Sequence, residues 1–151
     1  AGAGGTECLT KFHLNGFNSL LILDNAPCRP FCKTRAGLNL GEGAAYVVLE
    51  TPEAAQRHGH RPLAILTGYG NACDAFHQTA TSETADGPYL AMRKALKKGG
   101  LTAQDIDYVN AHGTATPDND RSELTAMHRD VAAVFFHQGV YRTHHECLWL
   151  D

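Results

Sequence analysis

Three short apolar runs rich in β-branched residues constrain the fold most. They are AAYVVLE at 44–50, LAILTGY at 63–69 and IDYVN at 106–110. Each has the length of a strand and is bounded by turn residues, so each reads as a buried strand. Helix signals lie around them. Thr51-Pro52 reads as an N-cap followed by proline at the first helical position, and Gly59 ends that short helix. Residues 85–98 give the clearest helix. Pro88 sits in its first turn, Met92, Ala95 and Leu96 share a face, and Lys97-Lys98 suit the negative C-terminal end of the dipole. Gly99-Gly100 stops it. Thr102 and Asp105 have capping-box spacing for one further turn, and another helix is expected from Ser122. Strands alternating with helices argue for a layered α/β fold.

The remaining segments are less regular. The opening AGAGGTE reads as a Gly-rich turn. Residues 9–23 read as a short helix and a loop, and 24–39, with Pro27, Pro30 and Gly37, as an irregular surface loop. The 151 residues are one ordinary domain in length. A hydrophobic share of 43% with 19% charged residues excludes a disordered tail, a collagen-like fibre and a coiled coil. A net charge of −3 argues against nucleic acid as a partner. No apolar run is long enough for a membrane span. The first residue is Ala1 and no secretory signal pattern follows, so the start is read as a cut through a longer protein. Cys8, Cys28, Cys32, Cys73 and Cys147 are odd in number and form no repeated C-x-x-C pair. Reduced thiols and a cytoplasmic location are expected.

Chemistry concentrates in Asn110-Ala111-His112-Gly113-Thr114-Ala115-Thr116-Pro117. A histidine at the C-terminal mouth of a strand is where open α/β sheets place ligands. Its imidazole can donate to a carbonyl becoming an oxyanion, or act as acid or base. Gly113 lets a ligand approach the backbone, and Thr114 and Thr116 could hold a polar arm. The alternative is a loop histidine satisfied by backbone, with threonines that make turns.

This N-A-H-G-T-x-T-P segment, with Asp120 and Glu123 after it, resembles the histidine motif of the elongating β-ketoacyl-acyl-carrier-protein synthases. Gly4-Gly5-Thr6-Glu7 resembles that family's G-G-T/S-E turn. Cys28-Arg29-Pro30-Phe31 with Arg35, Gly37 and Gly41-Glu42-Gly43-Ala44 is similar to its R-P-F-D-x-x-R-x-G…G-E-G-A segment, with Cys32 in place of the Asp. Gly68-Tyr69-Gly70, Asp74-Ala75 and His77 look like its G-Y-G…D-A-x-H stretch. The motifs occur in family order over residues 1–130.

The resemblance implies a thiolase-like fold layered α-β-α-β-α, here incomplete and drawn mainly from the C-terminal half. It implies a homodimeric acyltransferase that condenses malonyl-carrier protein with a cysteine-held acyl group and releases carbon dioxide. His112 would be the first catalytic histidine and would stabilise the enolate. Thr114 and Thr116 would contact the phosphopantetheine arm, which arrives on the acyl carrier protein, so no bound cofactor and no metal are expected. Glu123 would pair with a structural lysine further on, and Asp120 is a second structural acid.

The family nucleophile precedes the G-G-T-E turn and has no counterpart in these residues. The five thiols read as structural or incidental. The expected S-T-K…T-G-H, carrying the lysine and second histidine, is also absent after Glu123. The tail contains His144-His145-Glu146-Cys147, but adjacent ligands rarely face one ion. A one-base shift of reading frame, with suitable synonymous codons, turns residues 131–149 into S-P-P-F-F-S-T-K-A-Y-T-G-H-T-M-S-A-S. The chain is therefore divided into a partial synthase region, 1–130, and an out-of-frame tail, 131–151. The 151 residues by themselves are expected to be inactive, because such groups act as a unit. The missing half of the synthase or a dimer partner is expected to cover an exposed apolar face. The alternatives are a catalytically silent partner subunit of a condensing enzyme, and a thiolase.

Overall fold

The computed structural model describes residues 1–130. The expected tail lies outside the described residues. Two compact units arise: Ala1–Leu21 with Leu40–Leu66, and Ile22–Asn39 with the chain from Thr67 onward.

The first unit is built on two antiparallel strands, β1 (Gly2–Glu7) and β2 (Gly43–Val48), in register from Gly2 opposite Val48 to Glu7 opposite Gly43. Residues 2–7 are thus a strand rather than a turn. The ladder, a tertiary feature, overrides the weak strand propensity of glycine. Gly4 is required by close approach, because a Cβ there would run into the Ala45 carbonyl and Tyr46. Helix α1 (Lys11–Ser19) follows β1, capped by the Thr10 hydroxyl, which accepts from the His13 N–H at 3.1 Å. Helix α2 (Pro52–His58) follows β2. Its Thr51 cap, its proline and its left-handed Gly59 (φ 68°) stand where the sequence puts them.

Both strands are exposed on both faces. Tyr46, Val48, Leu63 and Ile65 also expose most of their surface, Leu63 completely. The run at 63–69 forms no strand, and neither does 106–110. A strand needs a neighbour to take its backbone N–H and C=O groups, and among the described residues neither run has a regular ladder partner. Most of the exposed large apolar side chains among the described residues lie in this unit.

The second unit holds most of the buried residues: Cys32, Ala85, Ala115, Asp120, Ser122, Ala126 and Met127. Helix α3 (Asp86–Gly99) packs against α4 (Pro117–Asp130). Gly100 (φ 67°) ends α3. Thr102 donates from its N–H and its hydroxyl to Asp105, both at 2.7 Å, around the 3-10 turn Ala103–Asp105. Helix α4 begins at Pro117, five residues before the expected start, so 117–120 are helix and not loop. The G-Y-G stretch lies along α3, where a Cβ at Gly68 or Gly70 would meet the Ala95 or Ala91 carbonyl. At the far end, Arg129 spans the two helices. It donates to the Thr84 carbonyl at 2.9 Å and to Asp86 at 2.7 Å, and lies 3.7 Å over the Tyr89 ring. Among the described residues no helix is long and apolar enough to cross a membrane.

Candidate active-site loop

The loop from Ala111 to Thr116 enters α4, and α4 holds it from below. Glu123 and Asp120 are three residues apart, so they share one face of the helix. Both turn their carboxylates to the loop backbone. Glu123 accepts from the N–H groups of His112 at 2.6 Å and Gly113 at 2.9 Å. Asp120 accepts from the Ala115 N–H at 3.1 Å. Three of the four amides from 112 to 115 are therefore fixed by two side chains. Backbone N–H bonds to a carboxylate are charge-assisted and stronger than neutral ones.

These bonds sustain an unusual backbone. Gly113 has φ 53° and Ala115 has φ 63°. The left-handed region suits glycine but costs an alanine roughly 1–2 kcal/mol. Ala115 is fully buried, and its N–H bond to Asp120 keeps it in place.

Asp120 also reaches the 24–39 loop. Its second oxygen accepts from the N–H of Phe31 at 2.7 Å, where the backbone is again left-handed (φ 57°). Arg35 Nε lies 3.5 Å from the same oxygen, and the two side chains are 8% and 0% exposed. Arg35 also donates to the Cys32 carbonyl at 3.0 Å and the Pro117 carbonyl at 3.3 Å. One buried carboxylate thus joins the Arg-Pro-Phe loop, the histidine loop and α4. Cys32 stands where the resemblance leads one to expect Asp. Its N–H donates to the Arg29 carbonyl and its sulfur lies 3.3 Å from the Thr34 hydroxyl, so the loop remains internally bonded.

His112 is exposed, and its ring makes no hydrogen bond among the described residues. Thr114 and Thr116 are half-buried and pair with each other at 2.8 Å between hydroxyl oxygens. The Thr114 hydroxyl also accepts from the Thr116 N–H at 3.4 Å, and each hydroxyl still has a lone pair or its proton for a third group. The Cys28 thiol donates to the Thr114 carbonyl at 3.5 Å. Burial pushes that thiol up, and the charges of Asp120 and Asp24 add to it against the opposing effects of Asn39 and Arg29. A thiol held protonated is a poor nucleophile. Glu123 has no lysine after it in this sequence.

The five residues expected from the sequence, His112, Thr114, Thr116, Asp120 and Glu123, lie together on this loop and the start of α4. Sequence reasoning missed Arg35 as the countercharge of Asp120, and Cys28 as a neighbour of Thr114. No sequence spacing links Cys28 to Thr114, whereas Arg35 belongs to a matched motif.

A family model for the beta-ketoacyl synthase C-terminal domain matches residues 63–135, which include α3 and the histidine loop. The chain belongs to the β-ketoacyl synthase family. It is 46% identical over 135 residues to 3-oxoacyl-[acyl-carrier-protein] synthase 2 of Rhizobium meliloti, covering 84% of this chain and 32% of that protein. It is 44% identical over 128 residues to Nodulation protein E of Rhizobium meliloti, covering 84% and 31%. The solved ishigamide ketosynthase/chain length factor superposes with a TM-score of 0.84 at 36% identity, covering 91% of this chain and 34% of that one. The fold is therefore a partial thiolase-like α/β domain. The chain spans about a third of the length of the curated relatives it matches.

Proposed function

We propose that this chain supplies the histidine-bearing part of a condensing enzyme that acts on malonyl-acyl-carrier protein in fatty-acid or polyketide-like biosynthesis. The observation that carries the reading is the clamp of α4 on the loop backbone. Glu123 and Asp120 fix amides 112, 113 and 115, and this leaves the exposed imidazole of His112 free to meet a substrate. In the decarboxylation step the ring N–H donates to the malonyl thioester carbonyl. Carbon dioxide leaves, and the electron pair it releases forms the enolate, whose oxygen His112 stabilises. The paired hydroxyls of Thr114 and Thr116 offer acceptors and donors to the amide-rich phosphopantetheine arm. The enolate carbon then attacks the acyl thioester carbonyl on a cysteine, the new C–C bond forms as the acyl C–S bond breaks, and the cysteine leaves as thiolate; no residue of the 151 matches that nucleophile.

Acyl carrier protein is the expected partner, in the cytoplasm, with a second synthase half or subunit over the exposed face of the first unit. The 151 residues assayed by themselves should form no β-ketoacyl product. The deciding experiment grafts residues 1–130 into the matching third of the Rhizobium meliloti 3-oxoacyl synthase and follows β-ketoacyl formation. The chimera should condense, and His112→Ala within it should lower kcat by roughly 10²–10³. An active chimera indifferent to His112→Ala refutes the assignment.

The solved relative includes a chain length factor, which makes a silent partner subunit the second reading. It predicts that the chain captures a full-length synthase and that His112→Ala changes nothing in the complex.

A further inference from the structure

A second cluster lies in the first unit, on α2. Glu50 precedes the cap of that helix, His58 ends it, and His60 follows its left-handed Gly59. The Gly59 turn folds His60 back, so that its N–H donates to the Ala55 carbonyl at 2.9 Å. Both imidazoles then converge on one carboxylate. His58 Nδ1 is 2.8 Å from one oxygen of Glu50, and His60 Nδ1 is 2.7 Å from the other. The two rings lie 5.4 Å apart at an angle of 53°, so they are splayed rather than stacked.

We propose that Glu50, His58 and His60 form a surface site for a divalent transition ion, with zinc the best match. One donor atom from each residue lies within 4.8 Å of the other two. A tetrahedral ion with bonds of about 2.0–2.1 Å sets its ligands roughly 3.3 Å apart. Small rotations of three exposed or half-exposed side chains achieve this spacing. Two imidazoles and a carboxylate suit borderline ions such as zinc, whereas magnesium and calcium prefer all-oxygen sets. Each ring binds through the Nδ1 lone pair with its proton on Nε2. The fourth position falls to water, because the rings are more than half exposed. The site ties the start of α2 to the turn after it. Arg57 and Arg61 flank it in sequence, and their charge opposes that of the ion.

The test is calorimetric titration of the full chain with zinc chloride, against the variants His58→Gln/His60→Gln and Glu50→Gln. The cysteines and the other histidines are common to all three proteins and give a shared background. The wild type should bind one equivalent more than the double variant. Glu50→Gln should weaken that equivalent by at least the roughly 10–100-fold that losing a supporting group costs a metal site. A second measurement needs only the wild type. Zinc should slow diethyl pyrocarbonate modification of His58 and His60, mapped by peptide mass spectrometry, far more than that of exposed His77. Equal stoichiometry in wild type and double variant overturns the site, and so do unprotected His58 and His60.

Discussion

Replacing Asp120 by alanine tests the architecture of the candidate site most directly. The carboxylate is fully buried. Its loss orphans the N–H groups of Phe31 and Ala115, now held at 2.7 and 3.1 Å. It also strands the guanidinium of Arg35, which is only 8% exposed. Removing one partner of a buried ion pair costs about 3–5 kcal/mol, chiefly because the other charge stays buried. The two orphaned amides place Asp120→Ala toward the upper end of that range. Asp120→Asn keeps the volume and one acceptor, so about 2–3 kcal/mol is expected.

The assay is urea unfolding followed by circular dichroism at 222 nm. With a slope near 2 kcal/mol per molar, a loss of about 4 kcal/mol moves the midpoint by about 2 M. A double-mutant cycle then isolates the pair. Arg35→Met removes the stranded charge, so the double variant should be less destabilised than the sum of the singles by at least about 1 kcal/mol. A loss below about 1 kcal/mol for Asp120→Ala, or strict additivity in the cycle, would falsify the claim that this carboxylate unites the two loops and α4.

Three further outcomes are expected. Iodoacetamide should label the exposed Cys8 and Cys73 well before the half-buried, protonated Cys28 and the buried Cys32, as read by peptide mass spectrometry. Simultaneous labelling of all four contradicts the packing of the 24–39 loop. Asp74 is held below the ordinary carboxylate range by the Ser82 backbone N–H, then by the Ser82 hydroxyl and the Gly87 N–H. A depressed carboxyl stabilises the fold above its unfolded value, near pH 4, and loses that contribution as pH falls through the lower folded value. The wild-type Tm should therefore drop more steeply between pH 5 and pH 3 than that of Asp74→Asn, and parallel curves refute the assignment. Finally, the coding DNA from about codon 131, read one base on, should spell S-T-K followed by T-G-H, and codons that cannot do so end the frameshift proposal.

What could be read from the sequence divides along physical lines. Helices α2 and α3 were legible because their signals are local: a Thr-Pro start, and a glycine stop in each case. The Thr116-Pro117 start of α4 carries the same local signal, and it was obscured by the functional motif that overlaps it. Strand β1 was not legible. A Gly-rich hexapeptide extends only because β2 pairs with it, and pairing is a tertiary fact. The runs at 63–69 and 106–110 err the other way, since their strand propensity is real but regular partners are absent among the described residues. The residues of the histidine loop were legible as a motif, while their mutual support was not. Nothing in the spacing of Asp120 says that it bonds Phe31, 89 residues away. The Glu50 cluster was overlooked for a related reason. Its ligands are eight and ten residues apart, and only the glycine turn between the histidines brings them together.

The two acids of α4 also explain how a loop with two left-handed residues holds the backbone of His112 in one place. Mobile glycine-containing loops place side chains poorly, and a site loses rate steeply when a group sits even 1 Å off. Here precision comes from the helix, whose i, i+3 spacing sets the distance between the two carboxylates and hence between the amides they hold. Glu123 grips the peptide groups on either side of the His112 Cα, so the ring's starting point is set while its χ angles stay free to follow the substrate. Glu123→Gln keeps one carbonyl oxygen but turns an NH₂ donor toward a backbone N–H. In the active chimera it should therefore lower kcat at nearly constant KM, because it loosens the histidine without touching Thr114 and Thr116. A rise in KM alone would assign Glu123 to substrate binding and dissolve the positioning argument.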